Sequence, residues 1–104
     1  MRQFTLEDLN AIIKTRAGET PDSSYTASLL AKGAEKCARK FGEESIEAIV
    51  AALSDDSEEL TKEAADVLYH LLVLLESRGV DLSDVMAELG RRTAQSGHAE
   101  KASR

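Results

Sequence analysis

Between Ala64 and Leu75 the chain reads Ala-Ala-Asp-Val-Leu-Tyr-His-Leu-Leu-Val-Leu-Leu, and no other stretch restricts the fold as much. Its apolar residues Val67, Leu68, Leu71, Leu72, Leu74 and Leu75 cover more than one face of a helix. A helix that is apolar all round has to be buried all round. The pattern predicts a helix from about Glu58 to Arg78, capped from Ser54-Asp55-Asp56-Ser57 and stopped by Gly79. A chain of 104 residues makes one small domain, with too few other helices to cover such an element. The expectation is therefore an all-α bundle of four to five helices completed by homodimerisation.

One charge, Asp66, stands inside that apolar run. An isolated ionised carboxylate there is costly unless it is paired or metal-bound. Glu63 precedes it by one helical turn, and the earlier stretch Lys40-Phe41-Gly42-Glu43-Glu44-Ser45-Ile46-Glu47 carries three more acids. On a helix, Glu44 and Glu47 lie about 60° apart with Glu43 beside Glu47, and Glu63 and Asp66 share a side with His70 between them in angle. Like charges at these spacings repel by a few tenths of a kcal/mol per pair in water and by more once partly dried. The pattern asks for a cation. Glu43, Glu44, Glu47, Glu63 and Asp66 form an all-oxygen set that suits Mg²⁺, or Mn²⁺ in its place, and offers nothing to a soft metal. The competing account makes these acids solvated surface groups, as most glutamates are. His70 reads as a partly buried imidazole hydrogen-bonded to an acid, with a catalytic role as the alternative.

Elsewhere the signals are local and ordinary. Thr5-Leu6-Glu7-Asp8 resembles a capping box, and Leu6, Leu9, Ile12 and Ile13 mark one apolar face up to about Ala17. Gly18 to Ser24 reads as a loop, with Ser24 or Thr26 able to cap the next helix. From Tyr25 to about Leu53, Leu30, Ala34, Cys37, Phe41, Ala48 and Ala52 keep a helical period, which Gly33 and Gly42 weaken. One kinked helix and two shorter ones both satisfy it. Asp81-Leu82-Ser83-Asp84 opens a last helix carrying Leu82, Val85, Met86 and Leu89. One domain is expected over residues 1–96, with a frayed tail over 97–104. Cys37 is the only cysteine, so no internal disulfide exists, and it reads as a small buried hydrophobe.

A basic stripe runs beside the acids. Lys32, Lys36 and Lys40 recur every four residues, and on one continuous helix they share the face of Glu43, Glu44 and Glu47. A ladder of salt bridges, Lys40 with Glu44 and Lys36 with Glu43, is the simpler account. The sharper one has the lysines bind phosphate oxygens while the acids hold the bridging metal, as phosphoryl chemistry requires. Ser24, Tyr25, Thr26 and Ser28 supply hydroxyls suited to a ribose or a phosphate. A net charge of −6 argues against nucleic acid as a partner. The strictly apolar runs, Leu71 to Leu75 and Ala48 to Leu53 among them, are far too short to cross a membrane, and the acids near Met1 do not suit a signal peptide, so a cytoplasmic location is expected.

Glu43-Glu44-x-x-Glu47 followed by Glu63-x-x-Asp66 is similar to the paired signature of the all-α, MazG-like nucleoside triphosphate pyrophosphohydrolases. Three stretches narrow the resemblance: Ser24-Tyr25-Thr26-Ala27-Ser28-Leu29-Leu30, Lys32-Gly33-x-x-Lys36-x-x-x-Lys40-x-Gly42-Glu43-Glu44, and Ala65-Asp66-Val67-Leu68-Tyr69-His70-Leu71. Together they resemble the phosphoribosyl-ATP pyrophosphatase family from about Ser24 to Arg78. The resemblance implies Mg²⁺-dependent hydrolysis of phosphoribosyl-ATP to phosphoribosyl-AMP and pyrophosphate, the second step of histidine biosynthesis. It further implies Glu44, Glu47, Glu63 and Asp66 as metal-holding catalytic acids, and Glu43 as a further ligand or an orienting group. Lys32, Lys36 and Lys40 would face the leaving pyrophosphate, and Ser24, Tyr25 and Thr26 the rest of the substrate. A housecleaning hydrolase of ordinary or damaged nucleoside triphosphates, and a helical dimerisation module without a metal site, are the alternatives.

Overall fold

Thr5 opens the first helix with a closed capping box: its hydroxyl accepts from the Asp8 amide at 3.1 Å, and the Asp8 carboxylate accepts from the Thr5 amide at 3.0 Å. The structure, a computed structural model, describes residues 2–94. Within them lie five helices and no strand: α1 (Leu6–Ala17), α2 (Tyr25–Ala31), α3 (Ala34–Leu53), α4 (Ser57–Ser77) and α5 (Leu82–Thr93). The all-α expectation holds, at the upper end of its helix count. The proposed tail, 97–104, lies outside the described residues.

Gly33 decides between one kinked helix and two. At φ 91° and ψ 172° it sits in a region that only glycine enters easily, so α2 ends and α3 begins around it. Gly42, by contrast, lies inside α3 without breaking it. Lys32 therefore caps the C-terminus of α2 instead of continuing the stripe of Lys36 and Lys40, which corrects the single-helix geometry. The α3–α4 connection turns through Asp55 at φ 63°, and Asp56 caps α4 by accepting from the Glu59 amide at 3.0 Å. Short loops of this kind make α3 and α4 antiparallel neighbours, and theirs is the most extensive helix pairing in the chain.

The core gathers Ile13 from α1, Leu29 from α2, Cys37 from α3, Leu72 and Val73 from α4, and Leu82 from α5. A fully buried aliphatic side chain of this kind contributes about 1.5–3 kcal/mol. Cys37 fills the apolar role expected of it and donates to the Leu29 carbonyl at 3.5 Å. The core occupies one end of the α3–α4 hairpin. At the other end Ile46, Ile49, Val50 and Leu53 are exposed, and on α4 so are Ala64, Ala65, Asp66 and Leu68. A single chain thus leaves apolar side chains uncovered, mainly on α3 with Leu68 on α4, and Asp66 is exposed where a buried position was expected.

Replacing Gly33 with alanine should lower the unfolding free energy by about 1–3 kcal/mol, because the β-carbon opposes a positive φ. Gly42→Ala, whose β-carbon meets no atom within 4 Å, should instead stabilise by about 0.5–1 kcal/mol. Urea unfolding followed by circular dichroism reads both, and equal effects of the same sign would contradict this account of the break.

Candidate functional site

The α3–α4 hairpin brings Glu44, Glu63 and Asp66 together, with one carboxylate oxygen from each lying within 4.8 Å of the others. Glu47 lies beside them, close enough to raise the Glu44 carboxyl, and its charge reaches Glu63. Such a set cannot be comfortably ionised. Burial, the contact with Glu47, and the charges of Glu47, Asp66 and Glu63 push the Glu44 carboxyl up to about 7. Glu63 also rises, through burial first, then the Glu47 charge and contact with Asp66.

Protons are one way to relieve this repulsion, and a cation is the other. The donors are all hard carboxylate oxygens on two helices, spaced so that small side-chain rotations could direct several at one ion of Mg²⁺ or Mn²⁺ size. The residues present fit such a group. Glu43 stands apart: it is exposed and pairs with Lys40 at 3.5 Å. This pair was not part of the expected ladder, and among the described residues it is the one bridge between the lysine stripe and Glu43, Glu44 or Glu47. The anticipated Lys40–Glu44 and Lys36–Glu43 pairs do not form, and among the described residues Lys32 and Lys36 make no ion pair. A cavity of about 450 Å³ opens at the acids, lined by Lys40, Glu43, Glu44, Ile46 and Glu47.

A second and larger cavity, about 530 Å³, lies beside the first and is lined by Arg16, Glu19, Ser23, Ser24, Tyr25, Thr26 and Tyr69. Ser24, Tyr25 and Thr26 are brought together here, but they differ in freedom. The Ser24 hydroxyl caps α2 by accepting from the Ala27 amide at 3.1 Å, and Thr26 is buried in a short hydrogen bond with the Tyr69 hydroxyl. Tyr25 is 57% exposed and stacks on Tyr69 with ring centroids 6.4 Å apart. Ser28 turns inward to donate to the Tyr25 carbonyl at 2.6 Å, a role in the helix and not in the cavity.

Tyr25 and His70 join the two cavities. Tyr25 is the largest influence raising the Lys40 ammonium, ahead of Glu43 and Glu44, and Lys40 lines the acid cavity and pairs with Glu43. His70 meets Tyr69 edge-on at 5.0 Å and Tyr25 at 6.3 Å. It is buried, its Nδ1 has no hydrogen-bond partner, and burial followed by the Lys40 charge lowers its pKa. The acid partner expected for this imidazole is absent at Nδ1. Arg16, Glu19 and Tyr69 were not singled out from sequence. Arg16 and Glu19 flank the first loop as ordinary surface charges, and only the folded chain carries them to the hydroxyls.

Without metal, the raised Glu44 carboxyl binds a proton more tightly in the folded than in the unfolded chain. Stability should therefore fall as pH rises from about 4.5 to about 7, the interval between its ordinary and folded values. Glu44→Gln should flatten that slope. Melting temperatures of metal-free protein across this range provide the check, and an unchanged slope in the variant would count against the shared-proton cluster.

A family model described as phosphoribosyl-ATP pyrophosphohydrolase matches residues 6–93. A protein of Ruegeria pomeroyi named phosphoribosyl-ATP pyrophosphatase is 62% identical over 99 residues, covering 95% of this chain and 94% of its own. Proteins with the same name from Methylobacterium radiotolerans and Agrobacterium fabrum are 59% and 54% identical over 104 residues, covering 100% of this chain and 97% of each relative. The chain, with its paired acids on two antiparallel helices, belongs to the phosphoribosyl-ATP pyrophosphohydrolase family.

Proposed function

We propose that this protein hydrolyses 1-(5-phosphoribosyl)-ATP to 1-(5-phosphoribosyl)-AMP and pyrophosphate, the second step of histidine biosynthesis in the cytoplasm. The observation that carries the reading is the convergence of Glu44, Glu63 and Asp66 on one space, with Glu47 beside Glu44, in a chain whose relatives bear that activity in their name. The metal-free cluster is wrong for a triphosphate: an acidic site in an acidic protein repels a polyanion. Glu44, Glu47, Glu63 and Asp66 would hold Mg²⁺, with Mn²⁺ able to replace it and Glu43 orienting Lys40 at the rim. Bound there, Mg²⁺ would supply charge neutralisation along the triphosphate and lower the pKa of water beside it.

The protein's own groups do the rest. A water aligned by one carboxylate of the cluster attacks the α-phosphorus and gives up its proton to a carboxylate. The bond from the α-phosphorus to the bridging oxygen breaks, and the electron pair leaves with pyrophosphate. Lys36 and Lys40 at the acid face, and Lys32 across the α2–α3 break, meet the negative charge that builds on that leaving group. Ser24, Tyr25 and Thr26 line the cavity that would receive the phosphoribosyl portion, with Tyr25 offering an exposed aromatic ring between the two ends.

A homodimer completes this reading. The exposed Ile46, Ile49, Val50 and Leu53 on α3, beside Leu68 on α4, form more apolar surface than a small monomer would leave in water, and they adjoin the acids.

Pyrophosphate release, measured with and without Mg²⁺ on phosphoribosyl-ATP and on a panel of deoxynucleoside triphosphates, tests the assignment. Metal-dependent release from phosphoribosyl-ATP is the expected result, and release from the deoxynucleotides alone would reassign the site to nucleotide housecleaning. Glu47→Gln and Asp66→Asn should each reduce turnover by at least about 100-fold with the helical circular-dichroism signal intact. Full activity in either variant would remove that residue from the site.

A further inference from the structure

The larger cavity contains a cation that neither the acids nor the lysine stripe explains. Arg16 lies in the last turn of α1, and its side chain lines the cavity together with Glu19, Ser23, Tyr25 and Tyr69. Other cations near α1 are committed: Arg2 pairs with Asp8 at 2.8 Å and Lys14 with Glu76 at 2.9 Å. Among the described residues Arg16 forms no ion pair, not even with Glu19 in the same cavity wall. Its charge is felt at Tyr69, on the cavity floor. An unneutralised guanidinium and an unneutralised carboxylate facing one space make a two-pronged recognition site.

The wall that carries them is well braced. The Glu19 amide donates to the Arg16 carbonyl at 3.0 Å, the Ser23 and Ser24 amides both donate to the Thr20 carbonyl, and the Thr20 and Ser23 hydroxyls bond at 3.0 Å. Thr26 and Tyr69 tie α2 to α4 beneath it. The cavity is distinct from the acid cluster, with Tyr25, Lys40 and His70 between the two. A ligand reaching both must therefore carry an anion at each end.

We propose that Arg16 is the specificity-determining residue of this site: its guanidinium grips the phosphate monoester of the phosphoribosyl group, while Glu19 accepts from the ribose hydroxyls. The proposal rests on the activity inferred above and identifies the feature that separates that substrate from other nucleotides. An ordinary nucleoside triphosphate has one anionic end and leaves Arg16 with nothing to bind. Phosphoribosyl-ATP has a second phosphate on the far side of the adenine, and a planar guanidinium meets a phosphate with paired hydrogen bonds that a lone ammonium does not offer.

The test uses the full chain with Mg²⁺, comparing wild type, Arg16→Gln and Arg16→Lys on phosphoribosyl-ATP, with ribose 5-phosphate as a competing probe. Arg16→Gln should lose about 10- to 100-fold in kcat/KM, chiefly through a higher KM, as expected for losing a charge-assisted phosphate contact. Ribose 5-phosphate should compete against wild type and fail to compete in Arg16→Gln, and Arg16→Lys should fall between them. Stabilisation by Mn²⁺ in thermal melts should be the same in all three, since the acids are untouched. A wild-type KM in Arg16→Gln, an absence of inhibition of wild type by ribose 5-phosphate, or loss of Mn²⁺ stabilisation in Arg16→Gln would each overturn the assignment. Failure of the parent reading would look different: wild type itself would not turn over phosphoribosyl-ATP, and the Arg16 assignment would fall with it.

Discussion

Mutual repulsion among Glu44, Glu47, Glu63 and Asp66 is the constraint on which the rest of this structure depends. Two antiparallel helices hold Glu44, Glu63 and Asp66 within reach of one another, with Glu47 beside Glu44, and the Glu44 carboxyl is pushed up to about 7. An arrangement of this kind weakens the hairpin that carries it, and surface salt bridges do not offset it: Lys40, the one lysine that answers an acid here, takes Glu43 and leaves the cluster unrelieved. A divalent cation would relieve the repulsion, and under the proposed function it would present positive charge to a substrate that the acidic protein otherwise repels.

The helices are arranged to keep that cluster at a boundary. The core of Ile13, Leu29, Cys37, Leu72, Val73 and Leu82 fixes one end of the α3–α4 hairpin, while the acids lie where the hairpin leaves the core. There the Glu44 and Glu63 carboxyls are raised, while the site stays open enough for a polyanion to arrive. The break at Gly33 serves the same geometry, since it turns α2 so that Tyr25 and Thr26 meet Tyr69 on α4 instead of continuing the line of α3. One cavity thus faces the acids and another the hydroxyls, with an exposed aromatic ring between them.

Most of the fold was legible because its signals are local. The Thr5–Asp8 box, the Ser24 and Asp56 caps and the heavily apolar α4 each concern residues a turn or two apart, which helical periodicity reports directly. The acid pairs were legible for the same reason, and short connections between helices bring such pairs face to face. Less was legible where the outcome hangs on a single dihedral angle or on distant neighbours. Gly33 and Gly42 look alike in sequence, yet only the first takes a positive φ. Asp66 read as buried because its sequence neighbours are apolar, but in one chain the flanking Ala64, Ala65 and Leu68 are themselves exposed. Arg16 gave no signal at all, since nothing in the end of a short amphipathic helix reveals that a stacked tyrosine pair from α2 and α4 will lie beside it.

If the acids hold a metal as proposed, proton and metal compete for the same carboxylates. Calorimetric titration of Mn²⁺ into the protein, repeated in buffers of different ionisation enthalpy, counts the protons displaced. At pH 6 binding should release about one proton per site, and at pH 8 much less, because Glu44 is already ionised there. Binding without proton release at pH 6, or no binding at either pH, would contradict this exchange.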